Sequence, residues 1–218
     1  MKRAAYSDLS LWLKSTNRKP LIIRGARQVG KTWLARNLAK ENKHDLIELN
    51  FERDPLAVEL FESNDPRESL KRIERRFGRR IQADKTLLLL DEIQAAPQIL
   101  AKLRWFYEEL PQLPVIAAGS LLDFALEDHS FSMPVGRIRY LYLEPLSFEE
   151  FLDADGKSLL IDYLESVDLQ TAIDPSTHRQ LLDSYRTYML IGGMPEAVAM
   201  WKDTQSLVAC SEVHQSLL

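Results

Sequence analysis

The sequence contains little cysteine and histidine and no long apolar run, and each shortage excludes a class of protein. A single cysteine, Cys210, cannot form an internal disulfide, which favours a reducing compartment. The four histidines are scattered, without metal-ligand spacing and without cysteine partners, so the pattern of a zinc site is missing. No apolar run approaches the length of a transmembrane helix, and the basic start is followed by no apolar signal segment. We therefore expect a cytoplasmic protein that does not enter the membrane.

The composition is that of an ordinary globular protein. Its 218 residues are enough for one sizeable α/β domain and part of a second. Hydrophobic residues make up 45% of the chain and charged residues 28%, and we find no internal repeat or low-complexity segment. The net charge of −4 gives no overall attraction to nucleic acid, although it leaves room for a local basic patch. The sequence has no Gly-x-Ser-x-Gly motif, the turn that carries the nucleophile of many serine hydrolases.

The strongest motif is Gly-x-x-x-x-Gly-Lys-Thr at residues 25–32, between an apolar strand pattern and a helical pattern. Gly25 and Gly30 allow the backbone to turn its N–H groups toward an anion. Lys31 reaches the β- and γ-phosphates, and the Thr32 hydroxyl can ligate Mg²⁺. A glycine turn that matches by chance would not need this strand and helix context, so we predict a nucleoside-triphosphate site. The residues predicted to contact the nucleotide here are Gly25, Ala26, Arg27, Gln28, Val29, Gly30, Lys31, Thr32 and Trp33.

A second motif follows about sixty residues later, where the apolar run at residues 87–90 ends in Asp91 and Glu92. Four consecutive apolar residues are typical of a central strand that is covered on both faces. Asp91 is placed to hold Mg²⁺ opposite Thr32, and Glu92 can polarise a water for attack on the γ-phosphate. Because such a base would harm a small-molecule kinase, the pair favours hydrolysis.

Two further strands carry polar residues at their ends. Residues 44–51 predict a strand whose end brings Asn50 and Glu52 into the ligand crevice of a parallel sheet. Residues 114–120 predict a buried strand that ends at Ser120. This serine can contact the γ-phosphate, or it can cap the helix predicted over residues 121–127, or both.

The strand predicted over residues 137–143 begins at an arginine. Arg137 can act as a finger on a nucleotide bound by a neighbouring subunit, which would imply a homo-oligomer. It can equally form a surface ion pair, and the same two interpretations apply to Arg139.

Two helices have a functional and a structural interpretation. In the helix that ends near Lys14, Tyr6 and Trp12 can flank an adenine, although aromatic residues at helical spacing are more typical of core packing. The helix that begins at Pro66 carries a cluster of cations, which favours a water-facing surface over a contact with DNA phosphates. These cations are Lys71, Arg72, Arg75, Arg76, Arg79 and Arg80, and we expect Leu70, Ile73 and Phe77 to turn inward.

The chain changes character near residue 156, where the strands stop. We predict an ATPase core over residues 1–155 and a helical lid over residues 156–218, interrupted at residues 191–195. Ser147 and Glu150 predict a capping box at the start of a helix. The last helical pattern ends without a stop signal, so we expect the lid to be incomplete and the chain to continue in a longer protein.

Together these motifs resemble the prokaryotic AAA-type ATPases related to the archaeal ATPase and STAND groups. The resemblance spans roughly residues 15–200 and rests on residues 25–32, 90–94, 118–122, 136–137, 144–151 and 192–195. It implies a P-loop NTPase fold of the ASCE and AAA+ type, with a parallel five-stranded sheet in the order 5-1-4-3-2 and a helical lid. It also implies the cofactors ATP or ADP and Mg²⁺.

The resemblance further implies individual roles. Lys31 and Thr32 would belong to the Walker A motif and Asp91 and Glu92 to Walker B; Ser120 would be sensor 1, Arg137 the candidate arginine finger and Pro195 a contact to the base. The sequence departs from this family in two ways. Only Lys202 stands where many relatives have a lid arginine, and the usual C-terminal domain, the expected site of partner specificity, is missing.

Three functions follow as hypotheses: an ATPase that drives movement, a slow nucleotide-dependent switch, and a DNA-associated ATPase.

Overall fold

The computed structural model describes residues 2–120, 133–168, 170 and 173–217. The helix predicted over residues 121–127 therefore lies outside the described residues. The chain packs as two units, of which the larger is Ala5–Leu143 and the other combines Met1–Ala4 with Glu144–Leu218. The predicted division into a core over residues 1–155 and a lid over residues 156–218 stays a prediction.

The larger unit alternates strands and helices. Its elements are α1 (Ala5–Lys14), β1 (Leu21–Arg24), α2 (Lys31–Glu41), β2 (Asp45–Asn50), a 3₁₀ helix (Pro55–Phe61), α3 (Pro66–Phe77), β3 (Thr86–Asp91), a 3₁₀ turn (Ile93–Ala95), α4 (Gln98–Glu109), β4 (Val115–Ala118) and β5 (Arg139–Tyr142). Each predicted strand is present, but most are shorter than the sequence pattern. β1 begins at Leu21 because Pro20 has no N–H for the ladder; its carbonyl accepts a hydrogen bond from the Arg139 N–H at 2.9 Å instead.

The five strands form one parallel sheet in the order β2-β3-β4-β1-β5. This is the predicted order 5-1-4-3-2 read from the other edge, so the predicted P-loop NTPase fold is confirmed. All six residues of β3 are buried, as the uninterrupted apolar run predicts for a strand covered on both faces. The outer strand β5 is largely exposed.

The core of the larger unit surrounds the interior strand β3. Its apolar side chains pack with those of β2, β4, α4 and the 3₁₀ helix, including Phe51, Phe61 and Phe106. The rings of Phe51 and Phe61 meet edge to face with their centroids 6.2 Å apart, an arrangement that aromatic pairs favour. This packing holds β3 rigidly, so the polar residues that follow it have a fixed position.

The second unit is helical. Its elements are α5 (Phe148–Ala154), α6 (Ser158–Ser166), α7 (Pro175–Ile191), α8 (Pro195–Thr204) and α9 (Leu207–Leu217). The capping box predicted at Ser147 and Glu150 is present: the Glu150 N–H donates to the serine hydroxyl at 3.2 Å, and the Ser147 N–H donates to the glutamate at 2.9 Å. None of the helices in the described part of the chain is long and apolar enough to cross a membrane.

The break predicted at residues 191–195 separates α7 from α8. Gly193 lies against the backbone of Leu146, whose N–H donates to the Gly193 carbonyl at 2.6 Å. A Cβ atom at Gly193 would come within 2.2 Å of the Leu146 carbonyl oxygen, so only glycine fits here. Gly193 therefore has a packing role within this unit.

Candidate functional site

The loop between β1 and α2 has the backbone that a phosphate cradle requires. Gly25 has a φ of 141° and lies so close to β5 that a Cβ would be 2.1 Å from the Leu143 carbonyl oxygen. Gln28 and Gly30 also have positive φ, and Gly30 is the N-cap of α2. Val29 is buried and anchors the loop, whereas Ala26, Arg27 and Gln28 are exposed. The positive N-terminal end of α2 therefore faces a loop whose backbone can curve around a phosphate.

Lys31 lies inside this loop. Its ammonium group donates to the carbonyl oxygens of Gly25 at 3.0 Å and Ala26 at 2.7 Å. Burial lowers the pKa of Lys31, and the negative charges of Glu92 and Asp91 oppose that shift. An ammonium that is bonded only to neutral carbonyls can turn to a phosphate oxygen when one is present.

The ends of β3 and α2 meet at Asp91. The Thr32 hydroxyl donates to the two Asp91 carboxylate oxygens at 3.0 and 3.2 Å, and the Asn50 amide donates to the same carboxylate at 3.2 Å. Burial raises the pKa of Asp91, while the hydrogen bond from Thr32 lowers it and the nearby charge of Glu92 raises it further. Asn50 reaches this point because it pairs with Asp91 in the register of β2 and β3, which agrees with the prediction that it faces the crevice.

The residues at this point fit a magnesium ion held jointly with a nucleotide. A hydroxyl and a carboxylate are hard oxygen ligands, and Mg²⁺ in such sites is bound by one or two protein oxygens, water and phosphate. Within the described ranges no group of three or more His, Cys, Asp or Glu side chains could hold a metal ion. Thr32 and Asp91, whose oxygens meet at this point, are the residues that would hold the ion.

Glu92 has an unusual backbone and two polar neighbours. Its φ of 50° and ψ of 47° are left-handed, a conformation that is strained for a residue with a side chain. The Gln94 amide donates to the Glu92 carboxylate at 2.6 Å and to the Glu52 carboxylate at 3.1 Å. Gln94 was not among the predicted site residues, and its place two residues after Glu92 was the signal that could have identified it.

Ser120 follows β4 at the same edge of the sheet. The N–H of the preceding Gly119 approaches the Ile23 carbonyl oxygen at 3.5 Å, which places this segment beside the end of β1. Its position is compatible with a contact to the γ-phosphate. The alternative role as a helix cap concerns residues 121–127, which lie outside the described residues. Both roles stay predictions.

Arg137 lies at the opposite edge of the sheet from the phosphate loop. It precedes β5, whose first residue Arg139 pairs with Leu21 at the start of β1, while Tyr142 pairs with Arg24 at its end. Four residues of strand span about 10 Å, so Arg137 does not reach the loop of its own chain. It forms an ion pair with Glu108 at 3.2 Å. The predicted finger role therefore stays a prediction only for a neighbouring subunit.

The aromatic residues that were candidates for contact with the base have different surroundings. Trp12 is buried and its indole N–H donates to the Lys19 carbonyl at 2.7 Å, which confirms the core-packing interpretation. The Tyr6 hydroxyl accepts from Asn42 at the far end of α2, about 16 Å along the helix from the phosphate loop. The contact of Tyr6 with an adenine stays a prediction. Trp33, just after the loop, is 48% exposed.

Pro195 begins α8 in the helical unit. The residue before it, Met194, has extended backbone angles, as steric contact with the proline ring favours. A proline at the first turn suits a helix start because that position needs no N–H donor. Its predicted contact with the base stays a prediction.

The cationic cluster near α3 is largely neutralised by ion pairs. Lys71 pairs with Glu68, Arg72 with Glu62, Arg76 with Asp54, and Arg79 with Asp45. The helix ends at Phe77 with a left-handed Gly78, so Arg79 and Arg80 lie beyond it. Ile73 is buried as predicted, but Phe77 is 37% exposed because it sits in the final turn. These ion pairs favour the water-facing interpretation, and DNA binding stays a prediction.

Comparisons with known proteins agree with this geometry. The sequence profile of the family described as AAA domain matches residues 17–152, and no curated protein matches the sequence. The fold is similar to the Walker-type ATPase PABY2304 of Pyrococcus abyssi, with a TM-score of 0.55, 18% identity, and coverage of 99% of this chain and 73% of that chain. It is also similar to PCH-2 of C. elegans, with a TM-score of 0.52, 13% identity, and coverage of 96% and 67%. At these identities both structures support the shared fold alone.

Proposed function

Since the chain belongs to the AAA domain family, we propose that it is a magnesium-dependent ATPase which hydrolyses the terminal phosphate of ATP. The observation that carries this proposal is the bond of 3.0 Å between the Thr32 hydroxyl and Asp91. It joins the end of the phosphate loop to the end of the interior strand β3, where Lys31 and Glu92 are the neighbouring residues in the sequence.

Each residue has a defined task in this proposal. The loop N–H groups and Lys31 bind the β- and γ-phosphates, and Thr32 and Asp91 hold the metal ion. Bound Mg²⁺ would neutralise phosphate charge as it develops. Glu92 accepts a proton from the attacking water, whose oxygen bonds to the γ-phosphorus. The bond from that phosphorus to the bridging oxygen breaks, and ADP leaves with the electron pair.

A slow nucleotide-dependent switch uses the same residues, and the rate of hydrolysis distinguishes it from an ATPase that turns over steadily. In both cases we propose that the nucleotide state alters the position of the helical lid, with Pro195 in contact with the adenine base. We also propose that the protein acts in the cytoplasm.

Phosphate release from ATP tests the proposal. We expect steady release by the purified chain that stops on chelation of Mg²⁺ and falls at least a hundredfold in the Asp91→Asn variant, as expected when a metal-bound carboxylate is lost. An Asp84→Asn variant, changed on the surface, is the matched control and should keep the wild-type rate. Release that is indifferent to Mg²⁺ would contradict the proposal, while tightly bound ADP with a very low rate would favour the switch.

A further inference from the structure

Gln94 occupies an unusual position between two carboxylates. The amide nitrogen carries two hydrogens; one is directed to Glu92 at 2.6 Å and the other to Glu52 at 3.1 Å. Glu52 follows β2, whereas Glu92 and Gln94 follow β3, so this one side chain joins the ends of two neighbouring strands. Both donor positions of the amide are therefore used on charged acceptors.

The two carboxylates repel each other, and the amide nitrogen that donates to both of them offsets this repulsion. Their bonded oxygens are at most about 6 Å apart, since both lie near the same nitrogen, and like charges at this distance disfavour each other. The orientation of the Gln94 amide follows from the same contacts, because the flipped amide would direct its oxygen at both carboxylates. The nitrogen must therefore face them.

The other end of the amide is not satisfied. The Gln94 carbonyl oxygen is buried and has no hydrogen-bond partner among the described residues. A glutamine retained only to support the fold would be expected to satisfy both of its ends when buried. Here the fold satisfies the donor end alone, and it does so on the residue that we assign as the base.

The bond from Gln94 restricts the side chain of Glu92. Its left-handed conformation fixes where the side chain starts, but the glutamate side chain still has three rotatable bonds beyond that point. A single strong bond to its carboxylate removes most of this freedom. Misplacing a catalytic group by about 1 Å lowers a rate by about a hundredfold.

We propose that Gln94 is the positioning residue of the hydrolytic base, and that Glu52 holds the Gln94 amide in the orientation that presents its nitrogen to Glu92. The inference rests on the proposed function. Gln94 acts through Glu92 and does not touch the nucleotide, so its loss changes turnover and leaves nucleotide binding intact.

Four variants separate this role from a structural one. Gln94→Met keeps the length of the side chain but removes the donor, and we expect kcat to fall about 10- to 100-fold with the affinity for ADP within twofold of wild type. Glu52→Ala should give a smaller fall. Glu52→Gln keeps an oxygen that can accept from the Gln94 amide, so it should restore kcat to within about threefold of wild type. Gln98→Met, at an exposed glutamine on α4, is the matched control and should change nothing.

The side-chain amide of Gln94 in ¹H–¹⁵N NMR spectra of the nucleotide-free protein gives a readout that does not need activity. Its pair of signals is assigned by its loss in Gln94→Met, and we expect it to shift in both Glu92→Gln and Glu52→Ala. If the wild type does not hydrolyse ATP, the proposed function fails, and a shift of these signals would still support the contact. Signals that stay in place in Glu92→Gln, or a Gln94→Met variant with wild-type kcat beside an inactive Glu92→Gln, would overturn the inference.

Discussion

Replacing Lys31 with methionine should weaken nucleotide binding and leave the stability of the fold nearly unchanged. The ammonium group donates to two loop carbonyls and has no direct bond to a carboxylate. In the complex it would instead bond to phosphate oxygens, and a charge-assisted hydrogen bond is worth about 2–3 kcal/mol. Since 1.4 kcal/mol corresponds to a factor of ten, the affinity for ATP should fall by roughly 30- to 150-fold.

The stability of the fold should change little. Methionine matches the unbranched stem of lysine. It also removes a charge that is costly to bury, as the lowered pKa of Lys31 indicates, and this gain offsets the loss of two hydrogen bonds. We expect the free energy of unfolding to stay within about 1 kcal/mol of wild type. Lys40→Met, an exposed change in the last turn of the same helix, is the matched control for both quantities.

Calorimetric titration with ATP and Mg²⁺ measures the affinity, and urea unfolding measures the stability. A Lys31→Met affinity within twofold of the wild-type value would refute the assignment of Lys31 to the phosphates. A loss of binding accompanied by a large loss of stability would instead indicate that the lysine mainly supports the loop.

Three further predictions concern the helical unit and are measured by urea unfolding. Arg3→Met should lower the free energy of unfolding by about 2 kcal/mol, because Arg3 and Glu150 form a buried ion pair at 3.1 Å; Lys2→Met removes only an exposed pair and should cost less than about 0.5 kcal/mol. Gly193→Ala should cost about 3 kcal/mol through its clash with Leu146, against about 1 kcal/mol for Gly156→Ala, where a Cβ has open space. Hydrogen bonds from the Ser176 hydroxyl and from Thr177 hold the pKa of Asp174 at about 2, below its usual 3.8. Its contribution to stability is therefore present above pH 3.8 and is lost as the pH falls toward 2, so Asp174→Ala should lose less stability than wild type between pH 4 and 2. Equal losses in Arg3→Met and Lys2→Met, equal costs of the two glycine changes, or parallel pH profiles would each contradict the corresponding contact.

The sequence was most informative where chemistry is local. The phosphate loop and the Asp91–Glu92 pair each lie within eight consecutive residues, and their residue types alone indicate phosphate and metal binding. The buried strand β3 was also predictable, because a run of leucines without alternation fits only a strand covered on both faces. The order of the strands came from the resemblance to AAA-type ATPases, since periodicity says nothing about which strands pair.

The remaining features depend on residues that are distant in the sequence. The close approach of Gly25 to Leu143 joins positions 118 residues apart, so the glycine could be assigned to phosphate binding but not to strand packing. The bridge from Gln94 to Glu52 likewise requires the pairing of β2 with β3. The contact of Tyr6 with Asn42 is another such feature, because the sequence shows that α1 precedes the loop but not which end of α2 it contacts.

The central claim, that this site hydrolyses ATP with Glu92 as the base, is tested most directly by the Glu92→Gln variant. An amide keeps the size of the side chain but cannot accept the proton of the attacking water. We expect phosphate release to fall by at least about a hundredfold while the affinity for ATP stays within about threefold of wild type, with Glu212→Gln on α9 as an unaffected control. Wild-type phosphate release by Glu92→Gln would contradict the claim.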